Sequence, residues 1–158
     1  DELGTIEYEA EIVVRVCRLG KSISERFASR YYDAVTVGID FTARDLLRKL
    51  SQQGLPWDMS KSFDGAAVLG EWVSKDKLLD IQRLRFHLDV NGETKQEGCT
   101  SDMIYKVDEI ISYISRFFTL KTGDLIYTGC PTSGFPVHIN DHLEGYIEER
   151  KVLDLHCK

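Results

Sequence analysis

An alternation of apolar and polar residues near the start of the chain predicts its first strand. Across residues 6–16 the even positions are apolar, whereas Glu7, Glu9, Glu11 and Arg15 occupy four of the odd positions. This period of two is typical of an extended strand, whose side chains point alternately to its two faces. Three carboxylates therefore line one face, with neighbours roughly 7 Å apart at Cα.

This acidic face has two interpretations. If the face is enclosed, two carboxylates about 4 Å apart repel by roughly 4 kcal/mol at an effective dielectric of 20, so the face requires a cation. If the face is open to water, the same pattern describes a half-exposed strand with solvated glutamates, which is the common situation for Glu. The strand alone leaves both interpretations open.

The next part of the chain predicts two helices around a strand. Ser24 is a candidate N-cap for a first helix, which is expected to reach residue 31 or 32. Thr42 is a candidate N-cap for a second helix. Residues 34–41 form a β-rich run between them. The second helix is expected from residue 43 to about residue 53, where Gly54 stops it.

The rest of the chain is predicted to be mainly β. Asn91-Gly92 between two extended runs is a strong hairpin signal, and the apolar spacing over 108–117 predicts a helix that packs on the core. The expected strands cover residues 66–73, 84–90, 93–99, 125–128, 142–147 and 152–156. Many strands with few, irregularly placed helices indicate an α+β fold with a mixed sheet or sandwich.

Composition narrows the class of protein. A chain of 158 residues fits one domain, and 42% hydrophobic with 29% charged residues is typical of a soluble globular protein. The net charge of −6 argues against nucleic-acid binding and against association with anionic membranes. No apolar run approaches the length of a membrane span.

Cysteine and histidine positions match no familiar metal motif. The four cysteines are far apart, without a CxxC pair, at positions Cys17, Cys99, Cys130 and Cys157. Free thiols in a reducing, cytoplasmic compartment are therefore expected. His138 and His142 have the spacing of ligands on a helix, but the turn residues between them argue against a helix and against a metal role.

Asp40 is the best candidate for a third ligand beside Glu9 and Glu11. A magnesium-like ion takes about six oxygen ligands at roughly 2.1 Å, usually including a few carboxylates. Asp40 ends an apolar run just before a predicted helix, where a carboxylate lies at the edge of the sheet. An N-cap or turn role explains Asp40 equally well on these residues alone.

Five segments, taken together, resemble a known family. They are residues 8–12 (YEAEI), 38–45 (GIDFTARD), 54–57 (GLPW) with 61–63 (KSF), 91–92 (NG), and 122–126 (TGDLI) with Thr128-Gly129. In this order and spacing the whole chain resembles the fumarylacetoacetate hydrolase family. The similarity is greatest to its branch of acylpyruvases, oxaloacetate decarboxylases and hydroxy-dienedioate isomerases.

The resemblance implies a fold, a metal and a set of site residues. The fold is α+β, a mixed β-sandwich roll with a few short helices, in which residues 1–158 form a single catalytic domain that assembles as a homodimer. The implied ion is Mg²⁺, or Mn²⁺ or Ca²⁺ in its place. The matching residues are Glu9, Glu11 and Asp40 as metal ligands, Lys61 as the catalytic lysine, and Arg44, Thr128 and Gly129 as contacts of a small keto-acid substrate.

These roles are chemically consistent with one another. A β-diketo or α-keto acid can chelate the ion, which then stabilises an enolate, while Lys61 adds positive charge and Arg44 binds a carboxylate. The ordinary alternatives are a surface charge for Lys61, an ion pair with Asp45 or Asp40 for Arg44, and a solvated position for Glu7.

Three departures from the family pattern affect the expected activity. Leu47 occupies a position where many members have a substrate-binding Gln, and Cys130 followed by residues 131–135 replaces a more glycine-rich loop. The chain is also expected to lack the N-terminal lid segment whose His and Glu activate water, because none of its histidines matches it.

The sequence thus favours a metal-dependent hydrolase that cleaves a C–C bond in a small β-diketo acid, such as an acylpyruvate or a fumarylacetoacetate-like compound. One alternative is an oxaloacetate decarboxylase, or a keto–enol tautomerase or isomerase of a dienedioate, which needs no water-activating lid. Another is a catalytically silent or truncated member that binds a ligand or partner.

Overall fold

Two antiparallel β-sheets packed face to face form the body of the protein in a computed structural model, which describes residues 2–158. The strands are β1 (Ile6–Val16), β2 (Tyr32–Ala43), β3 (Ala67–Leu69), β4 (Val73–Ser74), β5 (Arg85–Val90), β6 (Glu93–Cys99), β7 (Leu125–Tyr127), β8 (Phe135–Pro136), β9 (His142–Ile147) and β10 (Arg150–His156). The helices are α1 (Glu25–Ala28), α2 (Arg44–Gln52) and α3 (Val107–Phe117). Short 3₁₀ turns lie at Asp58–Ser60, Lys75–Lys77, Ile81–Arg83 and Thr100–Asp102.

The first sheet is built around the long pair β1 and β2. Its strand order is β3-β2-β1-β7, with β4 also paired to β2 and β8 to β1. The second sheet has the order β10-β9-β5-β6. The predicted α+β sandwich with few helices is confirmed. Within residues 2–158 every strand pairing is antiparallel, whereas the sequence predicted a mixed sheet or sandwich.

The hydrophobic core fills the space between the two sheets. Ala10, Ile12 and Val14 on one face of β1 are fully buried, as the alternating pattern predicted. The sheets approach each other closely at Gly145 of β9, where a Cβ atom would lie only 2.9 Å from Cγ1 of Val37 in β2. The other face of β1, which carries its glutamates, therefore points away from the second sheet.

Two turn and helix predictions are confirmed. Asn91 and Gly92 have φ angles of 54° and 81°, the left-handed values required at both central positions of a tight β-hairpin turn. The helix predicted over 108–117 is α3, where the Glu109 carboxylate accepts a hydrogen bond from the Lys106 amide at the N-terminus. Within the described residues no helix is both long and apolar enough to span a membrane.

Three local predictions are wrong. Helix α1 has only four residues, because Tyr32 joins β2 instead of extending the helix. Thr42 does not cap α2, since it lies within β2 and its hydroxyl is used elsewhere. The single strand expected over 66–73 is split, because the amide of Gly70 donates to β2 in the first sheet and that of Glu71 to β10 in the second.

Candidate metal centre

Glu9, Glu11 and Asp40 converge on the outer face of the first sheet. The antiparallel register places Glu9 directly opposite Asp40, and Glu11 lies two residues further along the same face of β1. One carboxylate oxygen from each residue lies within 4.8 Å of the others. The three predicted ligands are thus brought together, and small side-chain rotations would give the spacing of oxygens around one divalent ion.

Glu11 is the most enclosed of the three carboxylates, with only 5% of the residue exposed. Burial raises its pKa to about 7, and the charges of Asp40 and Glu9 act in the same direction, although a hydrogen bond from the Gly129 amide opposes them. That bond, N–H to Oε2 at 2.6 Å, also fixes the carboxylate. The acidic face is therefore not a solvated one, which resolves the first question raised by the alternating pattern.

Lys61 points into this cluster. It follows the 3₁₀ turn at Asp58–Ser60, and its Nζ lies 2.6 Å from Oδ2 of Asp40 and 3.4 Å from Oε2 of Glu9. The same ammonium group donates to the hydroxyl of Thr42 at 2.7 Å. The alternative of a surface loop charge is therefore wrong for Lys61, and Thr42 positions the lysine instead of capping a helix.

Arg44 and Glu7 form a second charged pair beside the cluster. Nε of Arg44 donates to Oε2 of Glu7 at 2.6 Å, and Nη2 lies 3.6 Å from Oε1 of Glu9. The alternative pairing of Arg44 with Asp45 or Asp40 is wrong. The solvated position expected for Glu7 is also wrong, because the Glu7 side chain is only 16% exposed and holds the guanidinium of Arg44.

The charges of the cluster are unbalanced. Four carboxyl groups, from Glu7, Glu9, Glu11 and Asp40, face only two basic groups, from Lys61 and Arg44. When all six are ionised, two negative charges remain in excess, which equals the charge that one divalent cation neutralises. Carboxylate oxygens are the ligands preferred by Mg²⁺, Mn²⁺ and Ca²⁺, so the donor set fits such an ion.

The loop 128–136 lies along the edge of β1 at this site. The Thr128 hydroxyl donates to the Ile12 carbonyl at 2.7 Å, and Gly129 adopts a φ of 96°, which turns its amide toward Glu11. Gly134 approaches so closely that an added Cβ would lie 3.2 Å from Cγ of Glu9. Thr128 and Gly129 are thus at the site, but their hydroxyl and amide contact the chain itself.

Gln96 is a buried residue that the sequence did not single out. Its Oε1 accepts the Ala10 amide of β1 at 2.9 Å, and its Nε2 lies 3.2 Å from the Ser133 carbonyl and from the Thr132 hydroxyl. Only 1% of Gln96 is exposed. It therefore ties the metal-binding strand to loop 128–136, and nothing in the mostly polar run of β6 distinguishes it from its exposed neighbours.

Cys130 also contacts this network. Gln96 Nε2 lies 3.2 Å from its sulfur, and burial raises the pKa of the thiol. The side chain is thus a neutral thiol near the carboxylates and lacks the thiolate character of a catalytic cysteine. All four cysteines are free, as predicted.

Comparison with known proteins identifies the family of this chain. Residues 2–157 match the sequence profile of the fumarylacetoacetate (FAA) hydrolase C-terminal family. The chain belongs to the fumarylacetoacetate hydrolase family. It is 40% identical over 143 residues to the mitochondrial oxaloacetate tautomerase FAHD1 of Mus musculus, in an alignment covering 90% of this chain and 65% of the mouse protein.

Two solved structures of family members share the fold. A fumarylacetoacetate hydrolase family protein of Yersinia pestis CO92 superposes with a TM-score of 0.93 at 32% identity, covering 99% of this chain and 71% of that one. Fumarylpyruvate hydrolase from Pseudomonas aeruginosa, in complex with Mn²⁺ and pyruvate, superposes with a TM-score of 0.91 at 31% identity. The alignment covers 98% of this chain and 66% of the Pseudomonas protein. The family predicted from the five sequence segments is confirmed.

Proposed function

We propose that this chain is a metal-dependent enzyme that catalyses enolisation of a small keto acid, with keto–enol tautomerisation of oxaloacetate as its reaction. The observation that carries the proposal is the convergence of Glu9, Glu11 and Asp40 beside the ammonium group of Lys61. The similarity to an oxaloacetate tautomerase supports this choice of reaction.

The proposed ion is Mg²⁺ or Mn²⁺, held by the three carboxylates. When bound, it supplies Lewis-acid stabilisation of the negative charge that develops on a substrate oxygen during enolisation. The donor set and the Mn²⁺ in the Pseudomonas fumarylpyruvate hydrolase complex support this assignment.

Lys61 is proposed to act on the reacting end of the substrate. Its Nζ lies between Asp40 and Glu9, so a substrate bound at the carboxylates would meet this ammonium group. A positive charge there favours the anionic, enol-like form of the substrate, and a lysine can also donate or accept the transferred proton.

Arg44 is proposed to bind the carboxylate of the substrate. Glu7 holds the Nε side of the guanidinium, which restrains its plane, and Nη2 lies on the side of the site, 3.6 Å from Oε1 of Glu9. A guanidinium fixed in this way recognises a carboxylate with two parallel hydrogen bonds.

Tautomerisation is preferred to hydrolysis because the identity to the oxaloacetate tautomerase of Mus musculus, 40%, exceeds the 31% identity to the Pseudomonas fumarylpyruvate hydrolase. Enolisation needs only proton movement, in which we propose that Lys61 takes part, whereas hydrolysis also requires an activated water.

C–C bond hydrolysis remains the second candidate, because the chain resembles a fumarylpyruvate hydrolase over 98% of its length. The two reactions are separated by assaying the protein with Mg²⁺ or Mn²⁺ on oxaloacetate and on acylpyruvates. We expect the wild-type protein to accelerate the loss of the enol form of oxaloacetate relative to the uncatalysed reaction. Lys61→Met should give no such acceleration. Cleavage of acylpyruvates alone would assign hydrolysis instead, and no turnover of either compound by the metal-loaded protein would indicate a silent binding protein.

We also propose that the chain forms a homodimer. Helix α3 and its neighbours expose several large apolar side chains, a pattern common at protein interfaces: Ile104, Tyr105, Tyr113, Phe117 and Phe118. Light scattering coupled to size-exclusion chromatography should give twice the chain mass, and Phe117→Glu should shift the protein toward the monomer. A wild-type mass equal to one chain would contradict the proposal.

A further inference from the structure

The second sheet carries a histidine pair on its outer face. His142 begins β9 and lies directly opposite His156 near the end of β10, in the register of the two antiparallel strands. Their imidazole rings are nearly parallel, with centroids 4.0 Å apart and planes inclined by 6°. Neither residue belongs to the carboxylate cluster of the first sheet.

Asp154 completes a group of three side chains with these histidines. Its Oδ1 lies 2.9 Å from Nε2 of His142, and one potential ligand atom from each residue lies within 4.8 Å of the other two. In a tetrahedral zinc site with bonds of about 2.0–2.1 Å, the ligand atoms are roughly 3.3 Å apart. The distance between Nε2 of His142 and Oδ1 of Asp154 is already close to this value. A side-chain rotation of the exposed His156 would bring its ring nitrogen to a similar distance from both atoms.

Neighbouring charges hold the aspartate in place. Lys151 Nζ lies 2.7 Å from Oδ2 of Asp154 and 3.0 Å from Oε1 of Glu144, so the lysine occupies the oxygen of Asp154 that does not face His142. Glu144 Oε2 is 3.9 Å from Nδ1 of His142. This distance is too long for a hydrogen bond, but a small side-chain rotation would let Nδ1 donate to Glu144, a contact that orients ligand histidines around bound metals.

We propose that His142, Asp154 and His156 form a second cation site, specific for a divalent transition metal such as Zn²⁺. Two imidazoles and one carboxylate select Zn²⁺, Ni²⁺ or Cu²⁺, whereas Mg²⁺ and Ca²⁺ prefer oxygen ligands alone. The two sites therefore differ in their metals and lie on the outer faces of different sheets.

The second site has a structural consequence for β10. Among residues 2–158 the one strand that forms a β-ladder with β10 is β9, so β10 is at the edge of its sheet. An ion shared by His142 of β9 and by Asp154 and His156 of β10 would cross-link the two strands at the end where β10 leaves the sheet. The proposed role of the ion is thus to fix this edge strand, separately from the chemistry at Glu9, Glu11 and Asp40.

Zinc binding by variants tests the proposal. In Glu11→Gln, which disables the first site, isothermal titration with Zn²⁺ should show one bound equivalent, and titration with Mg²⁺ should show none. Adding His156→Ala or Asp154→Asn to this background should weaken Zn²⁺ binding at least tenfold. His138→Ala is the matched control, because His138 is an exposed histidine outside the group, and it should leave Zn²⁺ binding unchanged.

The same comparison can be made without Glu11→Gln if that variant does not fold. Wild-type protein in saturating Mg²⁺ should then bind Zn²⁺ at one further site, and His156→Ala should lose this binding while retaining its activity on keto acids. Equal Zn²⁺ affinity with and without His156, equal losses with His138→Ala, or no Zn²⁺ binding beyond the first site would each overturn the proposal.

Discussion

At the scale of single residues, Glu11 links metal binding to pH. Its pKa of about 7 means that below this pH the carboxyl group carries a proton, which a metal ion must displace. The affinity for Mg²⁺ or Mn²⁺ should therefore fall by about tenfold per pH unit below 7, and level off above it. Titration calorimetry in buffers of different ionisation enthalpy should detect about one proton released per ion bound at pH 6.

The same pKa predicts how the metal-free protein responds to pH. Because the pKa of Glu11 is raised above its ordinary value of 4.5, the folded state binds this proton more tightly than the unfolded state. Its contribution to the free energy of unfolding is greatest below pH 4.5 and is lost as the pH rises to about 7. In Glu11→Gln this part of the pH dependence should be absent from urea denaturation curves, and an unchanged curve would contradict the assignment.

Glu7 and Arg44 allow a test of substrate binding. Glu7→Gln keeps the shape of the side chain but weakens a charge-assisted hydrogen bond worth about 1.5–3 kcal/mol, which leaves the guanidinium less well oriented. We expect KM for a keto dicarboxylate to rise by about tenfold or more, with a smaller change in kcat. The control is Asp45→Asn, which alters an exposed acidic residue next to Arg44 on helix α2 and should leave KM unchanged.

These residues also show what sequence alone can provide at this scale. Glu9 and Glu11 are recognisable because a strand places alternate residues on one face. Asp40 joins them through the register of β1 with β2, which no property of either strand specifies in isolation. The interpretation of Glu7 failed because its partner, Arg44, comes from the helix that follows β2, so its burial depends on tertiary contacts.

At the scale of elements, Gln96 connects the two sheets at the site. Replacing it with Leu leaves the Ala10 amide of β1 buried without an acceptor, which should cost about 1–3 kcal/mol of the free energy of unfolding. Thermal denaturation should show the loss, together with weaker Mg²⁺ binding, because loop 128–136 loses its anchor. Gln53→Leu, at an exposed position after α2, should stay within about 0.5 kcal/mol of wild type.

Local signals predicted the elements that depend on local chemistry. The hairpin of β5 and β6 follows from the backbone preferences of Asn91-Gly92, and α3 from its apolar spacing. The segment 66–73 was assigned to one strand, because its apolar residues do not reveal that Gly70 and Glu71 bond to different sheets. Contacts between sheets are set by the assembled fold and leave no periodic trace in the chain.

At the scale of the whole molecule, metal binding should stabilise the fold. An ion that binds only the folded state, at 100 times its Kd, adds about 2.7 kcal/mol to the free energy of unfolding. Mg²⁺ or Mn²⁺ should therefore raise the melting temperature of the wild type, and a chelator should reverse the rise. Glu11→Ala should abolish this response, and an equal rise in that variant would contradict the proposed ligand set.

The edge of β1 has a consequence for how this family can diversify. In the described part of the chain, the edge of β1 opposite β2 pairs with β8 at Glu7 and Tyr8 and with β7 at Val13–Arg15. Between these short ladders the backbone of β1 is hydrogen-bonded by the side chains of Gln96 and Thr128. The intervening loop can therefore change length or composition without breaking a continuous β-ladder. Substitutions that alter the substrate could accumulate at loop positions other than Gly129 and Gly134 at little cost to folding, while the carboxylates on β1 stay in place.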